Sequence, residues 1–297
     1  MSGRKKIVIT GASGFLGSHL VERLKDDERY VVYALSSKSD ELKEKLGGEN
    51  VEYSHKDALD AEMMKDSIVI SCAYPRNSTG TAIADGLRYI QIVFKTAMEN
   101  GAAAIINISS QSVYSQQRTE AATEETPVCL ESPYAVGKYA VELMLESICK
   151  GSGTKYTSLR MASLIGPGFD QRIVNRFVKQ ALETGKLTVK KNKQRFGFFD
   201  VEDAVSGIVA MLGTVEKDWK PVYNLGGSGV YTLVEIADAV KDAVKSEAAE
   251  IVEIIVTDGD ETGYSGLDAR LFENDFDSVA NYELIESVKA ICHSIIN

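Results

Sequence analysis

The sequence predicts an α/β fold, in which a doubly wound parallel sheet carries helices on both faces. Short β-branched apolar runs alternate with amphipathic helical patterns through the first half of the chain. This order is typical of a parallel sheet with right-handed crossovers. Several runs are apolar at almost every position, as strands covered on both faces require. The first run also ends in a glycine-rich turn that opens a helix.

The first strand and its turn read KKIVITGASGFLGSHL at residues 5–20. Gly11 allows a tight turn, Gly14 lets the backbone approach a pyrophosphate, and Gly17 lets the helix lie close to the strand. The N–H groups and positive dipole end of that helix would then face the phosphates. An ordinary strand–helix turn is the alternative, but the flanking elements favour a dinucleotide site.

The pattern continues in order along the first half of the chain. It predicts a helix at 17–26, strands at 30–35, 51–53 and 67–73, a helix at 82–100 that Gly101 ends, and a strand at 102–108.

The end of the strand at 30–35 bears on cofactor choice. It reads Ser36-Ser37-Lys38, with no carboxylate before Asp40. A carboxylate here would bind the ribose hydroxyls of NAD. Two hydroxyls and an ammonium suit a 2′-phosphate better, so NADP is favoured over NAD, with a plain polar turn as the alternative.

Ligands of such sheets bind beyond the carboxyl ends of the strands. The strand at 102–108 runs into Ser109 and Ser110, which are therefore expected at the ligand crevice. The predicted cofactor contacts are Gly11, Ser13, Gly14, Phe15, Leu16, Gly17, Ser36, Ser37, Lys38, Asp57 and Ala58 near the adenine, Ala73, Tyr134 and Lys138.

The stretch ESPYAVGKYAVELMLESICK at 131–150 predicts a helix with chemistry on one face. Ser132 is a good N-cap and Pro133 fits the first turn. Tyr134 and Lys138 are four residues apart and share a face. A free phenol has a pKa of about 10, and a nearby cation favours its ionised form. Such a phenol exchanges protons with a hydroxyl or carbonyl, although alone the pair would suit a solvated helix face.

The second half continues with alternating elements. We predict a strand at 156–160, a break at 166–168, a helix at 174–183, a strand at 187–189, a helix at 201–212 and a strand at 222–225. Residues 247–250 and 258–261 are predicted to be acidic surface stretches.

These residues carry a family resemblance that spans nearly the whole chain. The sequence resembles the extended short-chain dehydrogenase/reductase family, the group with the nucleotide-sugar epimerases and dehydratases. The matching segments are TGASGFLGSHL, ISSQSVY, SPYAVGK, LRMASLIGPG, RFVKQALETGKLTV, FDVEDAVSGIVAML, YNLGGSGVYTLVEIADAV and LDARLFENDF.

The resemblance implies roles for individual residues. Tyr134 would be the catalytic acid/base, and Lys138 would lower its pKa and hold the nicotinamide ribose. Ser110, four residues before Tyr114, would orient the substrate oxygen. The resemblance also implies a Rossmann domain at 1–165 and a smaller, discontinuous α/β substrate lobe at 166–297, with 200–226 returning to the first domain.

Two departures from the family pattern narrow the function. The dehydratases carry Thr-Asp-Glu where this chain has Ser110-Gln111-Ser112, so dehydration is not expected. The arginine that pairs with a substrate diphosphate is displaced by one residue, at Arg195, which puts a nucleotide-diphosphate substrate in doubt. The predicted substrate contacts are Ser110, Ser112, Arg195 and Arg270.

Composition excludes other classes of function. A net charge of −10 argues against a nucleic-acid surface. The four cysteines have no CxxC spacing and are expected to be reduced, with no metal site. No targeting or membrane segment is recognisable, so we expect a cytoplasmic protein. The helices at 82–100 and 133–150 are expected to form a homodimer, as is common in the family.

Three functions are compatible with the sequence. The first is an NAD(P)-dependent epimerase of a sugar or nucleotide-sugar, in which hydride leaves and returns and Tyr134 transfers the proton. The second is an NADPH-dependent reductase or dehydrogenase of a sugar or small ketone, which Ser36-Ser37-Lys38 favours. The third is a non-catalytic dinucleotide sensor, against which the presence of Tyr134, Lys138 and Ser110 argues, since a sensor does not need them.

Overall fold

The structure is a computed structural model that describes residues 4–75 and 79–297. The strands are β1 Lys5–Thr10, β2 Tyr30–Ser36, β3 Val51–His55, β4 Ile68–Ser71, β5 Ala104–Ser110, β6 Lys155–Met161, β7 Ser163–Ile165, β8 Lys186–Asp200, β9 Val222–Leu225, β10 Val230–Tyr231 and β11 Glu253–Tyr264. The helices are α1 Phe15–Leu24, α2 Ser39–Leu46, α3 Ala61–Met64, α4 Gly80–Glu99, α5 Pro133–Cys149, α6 Ile173–Thr184, α7 Val201–Leu212, α8 Leu233–Ala248, α9 Arg270–Phe276 and α10 Leu284–Ile296.

Seven strands form one sheet in the order β3-β2-β1-β4-β5-β6-β9. The pairings of β1 with β2 and β4, of β2 with β3 and of β4 with β5 are parallel. The strand order changes direction between β1 and β4, whose last residues, Thr10 and Ser71, are register partners. This is the switch point at which α/β sheets bind ligands. The predicted α/β fold with a doubly wound sheet is confirmed.

The apolar runs explain why this sheet is buried on both faces. Ile7, Val8 and Ile9 of β1 are all fully buried. Val8 and Leu35 belong to a cluster with apolar residues of α4 and α5, such as Phe94 and Leu145. Burial of side chains of this size contributes roughly 1.5–3 kcal/mol each, which fixes the helices on this face of the strands.

The chain divides into two compact units. The first covers the described parts of residues 1–113 together with 129–160 and 207–223, and the second covers 114–128, 161–206 and 224–297. The second unit contains a smaller sheet in the order β10-β8-β11, with β7 also paired to β8. Its core is formed by apolar residues such as Val178, Val240 and Ile291. The functional limits of 1–165 and 166–297 stay a prediction.

The smaller sheet differs from the sequence-based expectation. The strand predicted at 187–189 is the fifteen-residue β8, and the acidic stretch at 258–261 lies within β11. The two strands pair in parallel, with a register shift between Asp258 and Thr262. Ion pairs join Lys186 to Glu253 and Lys190 to Glu261 across them. The exposed ion pairs lie across this pairing, while Leu187 and Val189 of β8 are buried in the core of the unit.

Two further findings concern residues 4–75 and 79–297 only. None of the helices there is both long and apolar enough to span a bilayer. No group of three or more cysteine, histidine or acidic side chains there is arranged to hold a metal ion, and the four cysteines are unpaired thiols.

Candidate active site

The glycine turn between β1 and α1 is closely packed. Gly11 has a φ of +66°, and a Cβ there would lie 2.7 Å from the backbone N and Cα of Ala73. A Cβ on Gly17 would lie 2.4 Å from the carbonyl oxygen of Gly11. Gly14 precedes α1 and offers no side-chain cap. Only glycine allows β1, the end of β4 and α1 to approach this closely.

A cavity of about 580 Å³ lies beyond the ends of β1, β2 and β4 in the first unit. Seven predicted cofactor residues are not on its wall, namely Phe15, Leu16, Gly17, Asp57, Ala58, Tyr134 and Lys138, and Leu16 and Gly17 are buried in α1. The predicted cofactor residues on the wall are Gly11, Ser13, Gly14, Ser36, Ser37, Lys38 and Ala73, and unpredicted ones include Lys56, Cys72, Tyr74, Asp85 and Tyr89.

The end of β2 has a defined hydrogen-bond pattern. The Ser36 hydroxyl donates to Ser13 Oγ at 2.7 Å and accepts the Lys38 N–H at 2.9 Å. The Lys38 ammonium lies 2.8 Å from Glu41 Oε2, and both side chains are exposed. Asp57, expected near an adenine, is likewise exposed and paired with Lys56 at 2.6 Å. The basic groups at this end of the cavity therefore already have acidic neighbours.

Helix α5 begins as its sequence predicts and carries the phenol and the ammonium. The Ser132 hydroxyl accepts the Ala135 N–H at 3.1 Å, with Pro133 in the first turn. Lys138 is buried, and its Nζ donates to the carbonyl oxygen of Ile108 at 2.7 Å. The same Nζ lies 5.8 Å from the centre of the half-buried Tyr134 ring.

Burial lowers the pKa of Lys138 to about 8, opposed by the negative charges that Cys72 and Glu142 carry when ionised. The ammonium is thus anchored at the end of β5, and its proton is held less firmly than that of a solvated lysine. A cation in this place favours the ionised form of a neighbouring phenol.

Tyr74, which sequence reasoning missed, connects the cavity with this pair. Its ring centre lies 4.1 Å from Lys138 Nζ and 5.3 Å from the Tyr134 ring centre, at an interplanar angle of 79°. Its hydroxyl donates to the Tyr134 carbonyl oxygen at 3.4 Å. Burial raises the pKa of Tyr74 to about 12, so the ring stays neutral. No local pattern indicates a contact across sixty residues.

The end of β5 supplies a pair of hydroxyls. Ser110 Oγ lies 2.9 Å from Ser112 Oγ and accepts the Ser112 N–H at 3.2 Å. Ser112 lies in a short 3₁₀ turn at Gln111–Val113 that continues from the strand. The arrangement holds two hydroxyls side by side, either of which can donate to a ligand oxygen.

Behind these hydroxyls lies a buried polar network. The Ser109 hydroxyl donates to Glu142 Oε1. Arg160 on β6 donates to both carboxylate oxygens of Glu142, the shortest distance being 2.7 Å. All three residues are buried. Lys138 and Glu142 lie on successive turns of α5. This helix therefore contacts the end of β5 at two points, Ile108 and Ser109.

The two predicted anion-binding arginines lie in the second unit. Arg195 on β8 is 3.2 Å from Glu235 Oε2, and Arg270 at the start of α9 is held by both carboxylate oxygens of Asp268. Both arginines are exposed, and their substrate roles stay predictions.

Known proteins resemble the chain in sequence and in fold. The model of the NAD dependent epimerase/dehydratase family matches residues 7–226. UDP-glucuronic acid decarboxylase 6 of Arabidopsis thaliana is 27% identical over 266 residues, which are 82% of this chain and 75% of the relative. An uncharacterized UDP-glucose epimerase of Bacillus subtilis is 27% identical over 259 residues, 80% of this chain and 81% of the relative.

Two solved structures from Bacillus cereus share the fold. A UDP-glucuronic acid 4-epimerase in complex with UDP-glucuronic acid and NAD aligns with a TM-score of 0.81 at 21% identity, over 98% of both chains. A UDP-N-acetylglucosamine 4-epimerase aligns with a TM-score of 0.80 at 22% identity, over 97% of this chain and 95% of the other. At these identities the likeness concerns the fold.

Proposed function

This chain belongs to the NAD dependent epimerase/dehydratase family, and we propose that it is a UDP-sugar epimerase with Tyr134 as its acid/base. One observation carries the proposal above all. The Tyr134 phenol and the Lys138 ammonium lie on one face of α5, and both contact Tyr74, which lines the cavity beyond the glycine turn. Relatives and structural neighbours whose names specify UDP-sugars support the substrate class.

The cavity residues fit a dinucleotide such as NAD. Gly11 and Gly14 of the glycine turn line the cavity, and α1 begins there with a glycine rather than a side-chain cap. Gly11, Ser13 and Gly14 would hold the phosphates, since helix N-termini attract anions. Ala73 and Lys138 would contact the nicotinamide side. When bound, NAD supplies a reversible acceptor for the hydride of a sugar C–H bond.

The residues of the chain would handle the proton and the geometry. The ionised Tyr134 oxygen takes the proton of the reacting sugar hydroxyl as that group is oxidised to a carbonyl. Tyr134 returns the proton to the same oxygen when the carbonyl is reduced back to the alcohol. Lys138, anchored on the carbonyl of Ile108 at 2.7 Å, favours the ionised phenol by its charge. Ser110 donates a hydrogen bond to the same sugar oxygen, with Ser112 at its side. A positioned acid/base of this kind contributes about 10²–10⁴-fold.

The end of β2 supports a second candidate, an NADPH-dependent carbonyl reductase. Ser36, Ser37 and Lys38 line the cavity, and the strand ends without a carboxylate for the ribose hydroxyls. The proposed NADP preference requires the Lys38 ammonium to exchange Glu41 for a 2′-phosphate. The epimerase proposal needs no such exchange, and five of the similar solved structures carry NAD by name.

The decisive experiment combines the purified protein and NAD with UDP-glucose, UDP-glucuronic acid or UDP-N-acetylglucosamine. We expect a product of unchanged mass with a new anomeric proton resonance, and a Tyr134→Phe control that forms much less of it. Loss of carbon dioxide from UDP-glucuronic acid would instead identify a decarboxylase. Stoichiometric NADPH consumption with a carbonyl substrate would identify a reductase. Either result overturns the epimerase.

Assembly and location are also proposals. Helices α4 and α5 of the first unit expose Ile92, Val136 and Leu143, each about half accessible. An apolar face of this kind supports a homodimer formed through these helices. The cytoplasmic location is tested by cell fractionation.

A further inference from the structure

Three side chains, those of Tyr74, Tyr134 and Lys138, meet beside the cavity, and only Tyr74 lines it. Tyr74 has no role in the proposed chemistry. Tyr74 follows β4, and its ring face lies 4.1 Å from the Lys138 ammonium. Its edge-to-face contact with Tyr134 has a centroid distance of 5.3 Å. The Tyr74 side chain therefore touches both members of the proposed catalytic pair.

The packing of α5 is adapted to Tyr74. Gly137 lies in the interior of the helix, where glycine costs about 1 kcal/mol relative to alanine. A Cβ at Gly137 would lie 2.1 Å from the Tyr74 hydroxyl oxygen. The Tyr74 hydroxyl thus occupies the space that a side chain at Gly137 would fill. Gly137 lies between Tyr134 and Lys138 in the sequence of α5. Any larger residue at this position would push the ring away from the ammonium.

We propose that Tyr74 is a positioning residue, whose ring keeps Lys138 in its cationic form beside Tyr134. The inference rests on the proposed function of that pair. An ammonium over an aromatic face is attracted by the ring quadrupole, most strongly when it is desolvated. Lys138 is buried and has the carbonyl oxygen of Ile108 as a second neutral partner.

The other titratable groups that face Lys138 do not supply a free negative charge to stabilise its ammonium. Cys72 follows β4, and burial raises the pKa of its thiol to about 12, so it is neutral at physiological pH. Glu142 is one turn along α5, but its carboxylate is paired with Arg160 at 2.7 Å. Tyr134 carries the phenol whose ionised form the Lys138 ammonium favours. Burial disfavours the charge, and the Ile108 carbonyl oxygen and the Tyr74 ring are the two neutral groups that offset it.

The test is a direct titration of Lys138 by NMR, with lysine labelled at Cε. The Lys138→Arg variant assigns the resonance. We expect Tyr74→Phe, which keeps the ring, to have the wild-type midpoint, and Tyr74→Leu to lower the midpoint by about 0.5–1 pH unit. Tyr89→Leu is the matched control, because Tyr89 lines the same cavity beneath a different lysine, Lys56, at 5.1 Å. In Tyr89→Leu, the titration midpoint of Lys138 should equal that of the wild-type protein.

A second series keeps the shape of the side chain in case Tyr74→Leu does not fold. Phenylalanine with increasing numbers of ring fluorines at position 74 weakens the quadrupole at nearly constant volume. The Lys138 midpoint should fall with each fluorine. A midpoint that is the same in Tyr74→Leu, or throughout the fluorinated series, overturns the role of the ring.

The titration separates this inference from the proposed function. If the wild-type protein converts no UDP-sugar, the epimerase proposal fails, while the midpoints still decide the role of Tyr74. If it is active, Tyr74→Leu should lower kcat more than it raises KM. The alkaline fall of kcat/KM, which reports groups of the free enzyme, should then move to lower pH by the same amount as the NMR midpoint, and an unmoved fall contradicts the proposal.

Discussion

Replacing Arg160 by leucine tests the network that supports the end of β5. The Arg160 and Glu142 side chains are only 6% and 5% exposed, and they are joined through Nε and Nη2 at distances down to 2.7 Å. Removing the guanidinium leaves a buried carboxylate with Ser109 as its remaining partner in this network. An uncompensated buried charge of this kind costs about 3–5 kcal/mol. That is a large part of the roughly 5–15 kcal/mol that stabilises a typical protein.

The fluorescence of Trp219 is a suitable assay. It is the only tryptophan in the sequence, and it lies in the first unit, which also contains Glu142 and Arg160. Its Nε1 donates to the carbonyl oxygen of Thr214 at 3.2 Å, so unfolding changes its surroundings. Urea unfolding followed at this residue therefore reports the free energy of unfolding of the unit in question.

A double variant and a surface control make the test specific. The double variant Glu142→Leu/Arg160→Leu removes both charges and should be less destabilised than Arg160→Leu alone. Replacing both members of a buried ion pair by apolar residues often leaves the free energy of unfolding unchanged. Lys95→Leu, which breaks an exposed pair with Glu99 on α4, should change stability by less than about 0.5 kcal/mol. An Arg160→Leu variant within 1 kcal/mol of wild type, or a double variant less stable than the single one, would refute the reasoning.

Four further predictions concern chemistry, cofactor, assembly and pH dependence. Tyr134→Phe should bind NAD as tightly as wild type by calorimetry, but its turnover should fall by about a hundredfold or more. Full activity in this variant would remove the phenol from the mechanism. Lys38→Ala should weaken NADP binding more than NAD binding, and equal losses by calorimetry would remove the case for a 2′-phosphate site. Leu143→Glu should convert a dimer at micromolar concentration into a monomer by light scattering, and a monomeric wild type would contradict the proposed interface on α4 and α5. The kcat should also fall as pH rises through about 8, because the buried Lys138 then loses its proton; a flat profile to higher pH would count against a charged lysine.

Local chemistry determined the nucleotide-binding half of the fold. Gly11 requires a positive φ, and Ser132 with Pro133 starts α5, because both effects act within one turn of the chain. The apolar runs of β1, β2 and β4 predicted strands because a sheet covered on both faces buries every position. From these elements the doubly wound order and the crevice at the strand ends follow.

Partners that are distant in sequence were decided by the tertiary structure alone. The contact of Tyr74 with Lys138, and that of Glu142 with Arg160 on a separate strand, depend on how α5 packs against the ends of β4, β5 and β6. Strand β11 likewise runs through 258–261, which resembles an acidic loop in the sequence, and Glu261 there forms an ion pair with Lys190 of β8. Local propensity depends on neighbours within a few residues, whereas these contacts depend on the folding of the whole unit, which is why sequence patterns could not show them.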